Sequence, residues 1–396
     1  MNILFVSDFV FNPIIGGTER VTDILSRELS NVGYKVFYLC GPVSNRSYLD
    51  YDFPAEVHLL PEPGGYDNDV NHCFLKEIVS RCNIDIVINQ RGWVPYFDRV
   101  IDLNIPVVNV VHTTLGGFVQ LNMNLLFRRE KDFIGYAKYC VKIAIYPIYI
   151  FIKWIHFWHI LLSHYRHIAK TSKAIIFLSN HYAELFNKII TNISTSCYVG
   201  SIPNPTPLPT QYEINEKEKI LLYVGRLTRA EKRPDRLLKV WKRLHLKFLD
   251  WKLVFVGDGE ERLVLEEYAY KYNLKNVTFV GETRNVNDYY KKASFICLTS
   301  NFEGWGMSLV EGMSYGCVPI VFNSFQAASD IIEDSVDGIL VRPYSIKEYS
   351  NKLEEIMLDD SIRAQMSKAA SYKALLFSPA NIMKKWTVLF NRLISN

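Results

Sequence analysis

Short apolar runs alternate along this chain with longer segments of helical spacing. Ile3–Val6, Lys35–Leu39, Ile84–Ile88 and Val107–Val111 read as buried strands, and Ala174–Leu178 as the strand that closes the first half. Between the first two, Gly16 and Gly17 lead into Thr18–Leu29, which has helical spacing. The opening residues, MNILFVSDFVF, carry no basic stretch ahead of the apolar run and no small-residue cleavage site, so they read as a strand and not as a signal peptide. Four prolines between Ile202 and Pro209 can continue neither a helix nor a central strand, which marks a linker. The pattern then restarts with Ile220–Val224, Lys252–Val256, Asn276–Val280, Ser294–Leu298 and Val318–Phe322. Strands alternating with helices imply parallel sheets covered on both faces.

The boundaries that follow are an N-terminal Rossmann-like domain over 1–203, a linker over 204–216, a second Rossmann-like domain over 217–378, and a C-terminal helix over 379–396 that packs back on the first domain. A chain of 396 residues exceeds one ordinary core, which agrees with two domains. The expected architecture is α/β, with two parallel sheets facing across a ligand-binding cleft. A net charge of only +4 gives no support to nucleic acid as a partner. Seven cysteines without a C-x-x-C pair argue against a disulfide framework or zinc site and suit a reducing compartment.

Candidate chemistry lies at the ends of the strands. Gly16-Gly17-Thr18-Glu19 sits between a strand and a helix, where glycines permit close backbone approach and a helix start offers free N–H groups to an anion. A tight structural turn explains the same pair. Past Ile220–Val224 come Gly225, Arg226 and, six residues on, Lys232: two cations where a diphosphate binds in such sheets, or merely solvated charge. After Ser294–Leu298 the chain reads Asn301-Phe-Glu-Gly-Trp-Gly306 and enters a helix carrying Met307–Tyr315. Gly304 and Gly306 leave backbone N–H groups open beside the helix start, a phosphate cradle. Glu303 in the loop and Glu311 on the helix are about 12 Å apart by helical rise, a length that suits a sugar-diphosphate-ribose.

The strings GRL with its following lysine, VGDGEE, and FEGWGMSLVEGMSYGCVPIV resemble the retaining glycosyltransferases of family 4, which have the GT-B fold. The resemblance covers nearly the whole chain and is most specific over 221–343. It implies that Glu311 holds the ribose, Glu303 the donor sugar, and Arg226 and Lys232 the diphosphate. It also implies that Gly16 and Gly17 form the first-domain glycine loop and that His112, in VHTT, lines the donor site. Gly225, Gly304, Trp305 and Gly306 complete the donor-binding set, with Glu303, Arg226, Lys232 and His112 as the catalytic one. Trp305 stands where phenylalanine is usual, Gly312 where alanine is usual after the second glutamate, and Arg233 where glycine is common. These departures bear on the donor sugar more than on the reaction.

The implied reaction is transfer of a hexose or N-acetylhexosamine, from a UDP-sugar first or GDP-mannose second, to a saccharide or lipid-linked acceptor. No metal and no cofactor are expected, since cations and helix N-termini can take the charge. Asp50-Tyr-Asp52 and Asp67-Asn-Asp69 mimic the metal-binding D-x-D pattern but lie in turn-rich surroundings far from the second-domain motifs. The alternatives are a nucleotide-sugar epimerase of similar two-domain fold and a non-catalytic scaffold.

Residues 128–168 stand apart. Arg128, Arg129 and Lys131 precede an apolar aromatic stretch, Val141–Leu162. Lys153 and Pro147 disfavour a membrane span, Pro147 by kinking the helix. Lys142, Tyr146, Tyr149, Lys153 and His156 fall on one helical face with Ile, Phe and Trp opposite, the pattern of a helix lying in a membrane interface. A buried helix or an oligomer contact accounts for it otherwise. The expected location is cytoplasmic, peripheral on the cytoplasmic face of the inner or plasma membrane.

Overall fold

A computed structural model describes residues 1–14, 16–41, 50–63, 65–66, 68–92, 105–116, 146–191, 193–209 and 217–394. These form two compact units, Met1–Ile202 with Val388–Asn396, and Pro203–Thr387.

In the first unit, β1 (Asn2–Ser7), β2 (Lys35–Cys40), β3 (Glu56–Leu59), β4 (Ile86–Asn89), β5 (Val107–Val111), β6 (Ala174–Phe177) and β7 (Tyr198–Ser201) make a seven-stranded sheet of order β3-β2-β1-β4-β5-β6-β7. Its strands pair in parallel. The inner strands are aliphatic and buried on both faces, as a sheet covered by helices requires. On one face Leu4, Val6, Phe37, Leu39 and Val87 pack with Leu75 and Ile78 of the helix Asp69–Arg81.

In the second unit, β8 (Glu218–Val224), β9 (Lys252–Val256), β10 (Val277–Gly281), β11 (Ala293–Leu298), β12 (Val318–Phe322) and β13 (Ile339–Val341) make a six-stranded sheet of order β10-β9-β8-β11-β12-β13. Its named strands are also parallel. In both sheets the chain runs outward to one edge and returns beside its first strand. The switch points therefore lie between β1 and β4 and between β8 and β11, beside the carboxyl ends where open α/β sheets generally bind ligands.

Three strands lie beyond the sequence pattern: β3, β7 and β13. β7 therefore closes the first sheet, not Ala174–Phe177. All three edge or near-edge segments are short, and β3 and β7 are only half buried, so they lack a long apolar run.

The proline-rich segment is packed, not free. Asn204 and Thr206 are buried, and the Thr206 N–H donates to the Phe377 carbonyl at 2.8 Å. Residues 210–216 of the expected linker lie outside the described residues. The last helix, Pro379–Ile394, begins in the second unit, and its final turns count with the first. There Phe390 meets Tyr34 edge to face at 6.3 Å and Arg392 lies 4.6 Å over Tyr198.

Residues 128–145 also lie outside the described residues. The helix that follows, Tyr146–Thr171, carries Pro147 as its second described residue, and the expected kink there involves residues outside the described ones. Of the expected polar face, Lys142 and the side chains of Tyr146 and Tyr149 lie outside the described residues, while Lys153 is half-buried and His156 exposed. Leu161, His164, Tyr165, Ile168 and Ala169 are buried in the unit, whereas Phe151, Ile152, Trp154 and Ile155 are exposed by 60, 58, 45 and 47%. Exposed His159, Ser163, Arg166 and Lys170 continue that outer stripe. The later turns bond into the unit, with His164 donating to the Gly92 carbonyl at 3.0 Å and Tyr165 packed edge to face on Phe186 at 5.4 Å, whereas the first turns leave aromatic residues outside. Among the described residues no helix is long and apolar enough to cross a membrane.

Candidate active site

At the carboxyl end of β8 the backbone turns tightly. Gly225 has φ +154° and donates to the Val256 carbonyl at 3.0 Å. A Cβ on Gly257 would stand 2.2 Å from the Gly225 carbonyl oxygen, so glycine at 257 lets the loops after β8 and β9 touch. The Tyr223 hydroxyl donates to the Arg226 carbonyl at 2.9 Å and fixes the next residue, leaving the guanidinium mostly exposed. Burial first, then the charge of Glu303, raises the Tyr223 phenol well above its usual range, so it stays a neutral donor.

The loops after β8 and β11 are tied together by backbone. The Asn301 N–H donates to the Glu231 carbonyl at 2.7 Å, and its side-chain amide donates to the Ala230 carbonyl at 2.7 Å. Thr299 donates to the Arg233 carbonyl at 2.8 Å. This seam carries Lys232 onto Glu303, with Nζ at 2.8 and 2.7 Å from the two carboxylate oxygens. Ser300 donates to the same carboxylate at 2.7 Å. Arg226 does not join that pair; it donates to Glu231 at 2.7 Å. Arg233, where glycine is common in the family, adopts φ +50° and clamps Asp235 with two bonds of 2.8 and 3.0 Å.

Gly306 caps the helix Met307–Ser314 with φ +89° and ψ +57°, a left-handed conformation that suits glycine. Its first N–H groups have no side-chain cap, which leaves an anion-binding helix start beside Lys232 and Glu303 in sequence and strand order. Trp305, expected in the donor set, is 2% exposed and packs edge to face on Phe377 at 5.2 Å. Its indole belongs to the packing. Glu311 is buried and accepts from the Tyr290 hydroxyl at 2.9 Å. Gly312 also has a packing cause: a Cβ there would lie 2.9 Å from Cβ and Cγ2 of Ile296 on β11. Both departures have a packing cause within this unit.

The switch point of the first unit gathers a second group. Gly16 precedes the helix Gly17–Asn31, and a Cβ on Gly16 would stand 2.6 Å from a Glu19 carboxylate oxygen; one on Gly17 would meet nothing within 4 Å. Arg91 follows β4, pairs with Asp8 at 3.0 Å and lies 5.4 Å over the Phe9 ring. Glu19 is buried, and burial raises its pKa more than the Arg91 charge lowers it. His112 follows β5 with Nε2 at 2.5 Å from Oε1 of Gln90. Burial first, and the Arg91 charge second, lower its pKa to about 3, so the ring is neutral. Of the two D-x-D look-alikes, the Asp52 carbonyl accepts from Arg27, Asp69 opens the helix Asp69–Arg81, and Asp67 lies outside the described residues.

Residues 206–373 match the family described as Glycosyl transferases group 1, and residues 15–191 match Glycosyltransferase Family 4. The chain is a family 4 glycosyltransferase. The transferase is 34% identical over 176 residues to the amylovoran biosynthesis glycosyltransferase AmsD of Erwinia amylovora, covering 44% of this chain and 49% of that one. It is 29% identical over 377 residues to an uncharacterized glycosyltransferase of Haemophilus influenzae, covering 94% and 95%. It is 31% identical over 175 residues to the GalNAc-alpha-(1->4)-GalNAc-alpha-(1->3)-diNAcBac-PP-undecaprenol alpha-1,4-N-acetyl-D-galactosaminyltransferase of Campylobacter jejuni, covering 44% and 48%. The first and third matches thus span about half the length of those relatives.

Among solved structures, the lipopolysaccharide outer core galactosyltransferase WaaB in its apo form gives a TM-score of 0.69 at 17% identity, covering 100% of this chain and 99% of that one. Anabaena HepE in complex with UDP and glucose gives 0.70 at 15%, covering 99% of each. At these identities the likeness shows the fold, GT-B. The epimerase alternative draws no support from any of these proteins.

The transferase also holds site neighbours that sequence reading passed over: Asp8, Gln90, Arg91, Tyr290 and Ser300. Gln90 and Arg91 follow a recognisable strand end, which was the one available signal. Tyr290 acts through Glu311, a partner that folding supplies, whereas Ser300 meets Glu303 three positions on in the same loop.

Proposed function

We propose that this glycosyltransferase moves a hexose or N-acetylhexosamine from a nucleoside diphosphate sugar, UDP first and GDP-mannose second, to a saccharide or lipid-linked acceptor in cell-surface polysaccharide or lipopolysaccharide biosynthesis, with retention of configuration and without a metal. One observation carries the reading. At the switch point between β8 and β11, Lys232 pairs with Glu303, Arg226 pairs with Glu231 and keeps most of its guanidinium exposed, and an uncapped helix start leads to the buried Glu311. Cations and peptide N–H groups take up negative charge as the bond from the anomeric carbon to the diphosphate oxygen breaks. The acceptor hydroxyl forms the new bond and gives up its proton. Glu311, held by Tyr290, suits the ribose hydroxyls, and Glu303 the donor sugar. Lys232 must leave Glu303 to reach phosphate, which frees that carboxylate at the moment the donor arrives. By the family resemblance, Gly16, Gly17 and His112 also serve donor binding.

The names of the relatives support the pathway: amylovoran synthesis in one, an undecaprenol diphosphate-linked acceptor in another. The exposed aromatic turn of the helix Tyr146–Thr171, followed by basic residues, supports peripheral attachment to an anionic cytoplasmic membrane face, with Phe151, Ile152, Trp154 and Ile155 in the interface.

The test is a panel of nucleotide-sugars in thermal-shift and transfer assays, with and without chelator, and anomeric assignment of the product by NMR. A UDP-sugar should stabilise the protein and be turned over with retention in chelator. Inversion, or activity lost in chelator and restored by manganese, would overturn the mechanism. Flotation with anionic vesicles at low salt tests the location; no binding removes the membrane reading and leaves the chemistry intact.

A further inference from the structure

We propose that Gln90 is a positioning residue that locks His112 as the neutral Nε2–H tautomer, so that the ring meets a ligand only as a hydrogen-bond acceptor through Nδ1. The proposal rests on the reading of His112 as a donor-site residue, but it concerns the free chain. Gln90 is 1% exposed and directly follows β4, and its own N–H donates to the Val6 carbonyl on β1 at 3.2 Å. His112 directly follows β5. β4 and β5 are held in register by Asn89↔Asn109, whose side chains are joined at 2.7 Å, and Asn109 donates onward to Ser172 at 2.6 Å. Both partners are thus fixed at the backbone, and the contact between Nε2 and Oε1 closes at 2.5 Å. With Oε1 facing the ring the amide accepts, so that ring nitrogen carries the proton and the other keeps its lone pair; the opposite amide orientation would place the proton on Nδ1, which the measurement below distinguishes.

The residue type matters as much as the geometry. Arg91, Asp8 and Glu19 are the charged groups around this switch point, and Arg91 opposes a proton on the ring. A carboxylate at position 90 would reverse that by drawing one. The amide orients the ring without charging it. A neutral acceptor suits a sugar hydroxyl and not a phosphate oxygen, which has no proton to give.

The experiment is long-range 1H–15N correlation of the histidine rings in the free protein, with His112→Gln identifying the signal. Wild type should show the neutral Nε2–H tautomer, unchanged across about pH 5 to 8, the span over which an unperturbed imidazole titrates. Gln90→Glu should bring the His112 titration to about 6.5 or above. Gln90→Leu should leave the ring neutral but mixed between tautomers. An Nδ1–H ring in wild type, or the Nε2–H tautomer surviving undiminished in Gln90→Leu, overturns the proposal. If the tautomers behave as stated but His112→Gln binds and turns over every nucleotide-sugar normally, the positioning stands and the donor-site reading of His112 falls.

Discussion

The ammonium of Lys232 bridges both carboxylate oxygens of Glu303, at 2.8 and 2.7 Å, across 71 positions of sequence. A cation proposed for phosphate and a carboxylate proposed for sugar are therefore each other's partners in the free protein. Binding a donor has to exchange that pair for two new contacts.

This exchange predicts an uncommon signature for Glu303→Gln. Turnover should fall, because the group beside the reacting sugar has changed. Affinity for the nucleoside diphosphate should instead rise, by up to about tenfold, since a charged bond of about 1.5 kcal/mol no longer competes for Lys232. Calorimetric titration with UDP checks this, and weaker UDP binding would sink the exchange. Arg226→Ala, by contrast, should weaken UDP binding by roughly 1.5–3 kcal/mol if the guanidinium meets phosphate directly.

Tyr290→Phe should raise the donor's KM about 3- to 10-fold and leave kcat nearly unchanged, because it removes one bond of about 1 kcal/mol that orients Glu311. Steady-state kinetics separate the two constants. A drop in kcat with KM constant would mean that Glu311 acts on the reacting sugar and not on the ribose.

Gly17→Ala distinguishes a binding loop from a mere turn. Its Cβ meets nothing within 4 Å, so the free protein should be as stable as wild type or about 0.5–1 kcal/mol more so. If a ligand uses the open space, donor affinity should fall while the melting temperature holds. Unchanged affinity would make Gly17 a structural residue.

Gly312→Ala should cost about 1–3 kcal/mol through its 2.9 Å approach to Ile296, although alanine is usual there in the family. Adding Ile296→Ala removes Cγ2 and should return part of that loss as a coupling energy in a double-mutant cycle. Strict additivity in urea denaturation would show that the packing explanation is wrong.

Acid should reveal His112. Its folded pKa, about 3, lies below the unfolded value of about 6.5. The neutral ring therefore stabilises the fold fully above about pH 6.5, and that contribution is lost as the pH falls toward 3. The His112→Gln variant should lose less stability over this window, by the effect of about one proton taken up on unfolding. Parallel urea midpoints for the two proteins from about pH 7 to 4 would contradict it.

The sequence by itself determined the two parallel sheets and the loops where chemistry sits. Runs such as Ile3–Val6, Val107–Val111 and Lys252–Val256 are buried on both faces, and a strand so buried writes itself as an apolar run flanked by turns. The family motif at Glu303 and Glu311 was legible for the same local reason, being one continuous loop and helix. Partner choice was decided by tertiary structure. Lys232 meets Glu303 and Gln90 meets His112 because strand order brings β8 beside β11 and β4 beside β5, and Tyr290 meets Glu311 because the helices Val286–Lys292 and Met307–Ser314, on either side of β11 in the chain, bring them together; none of these pairings leaves a trace in local spacing. The same holds for the helix Tyr146–Thr171. Its composition announced an amphipathic segment, but which residues face outward depended on where its later turns bond and pack into the unit, as His164 does with Gly92 and Tyr165 with Phe186.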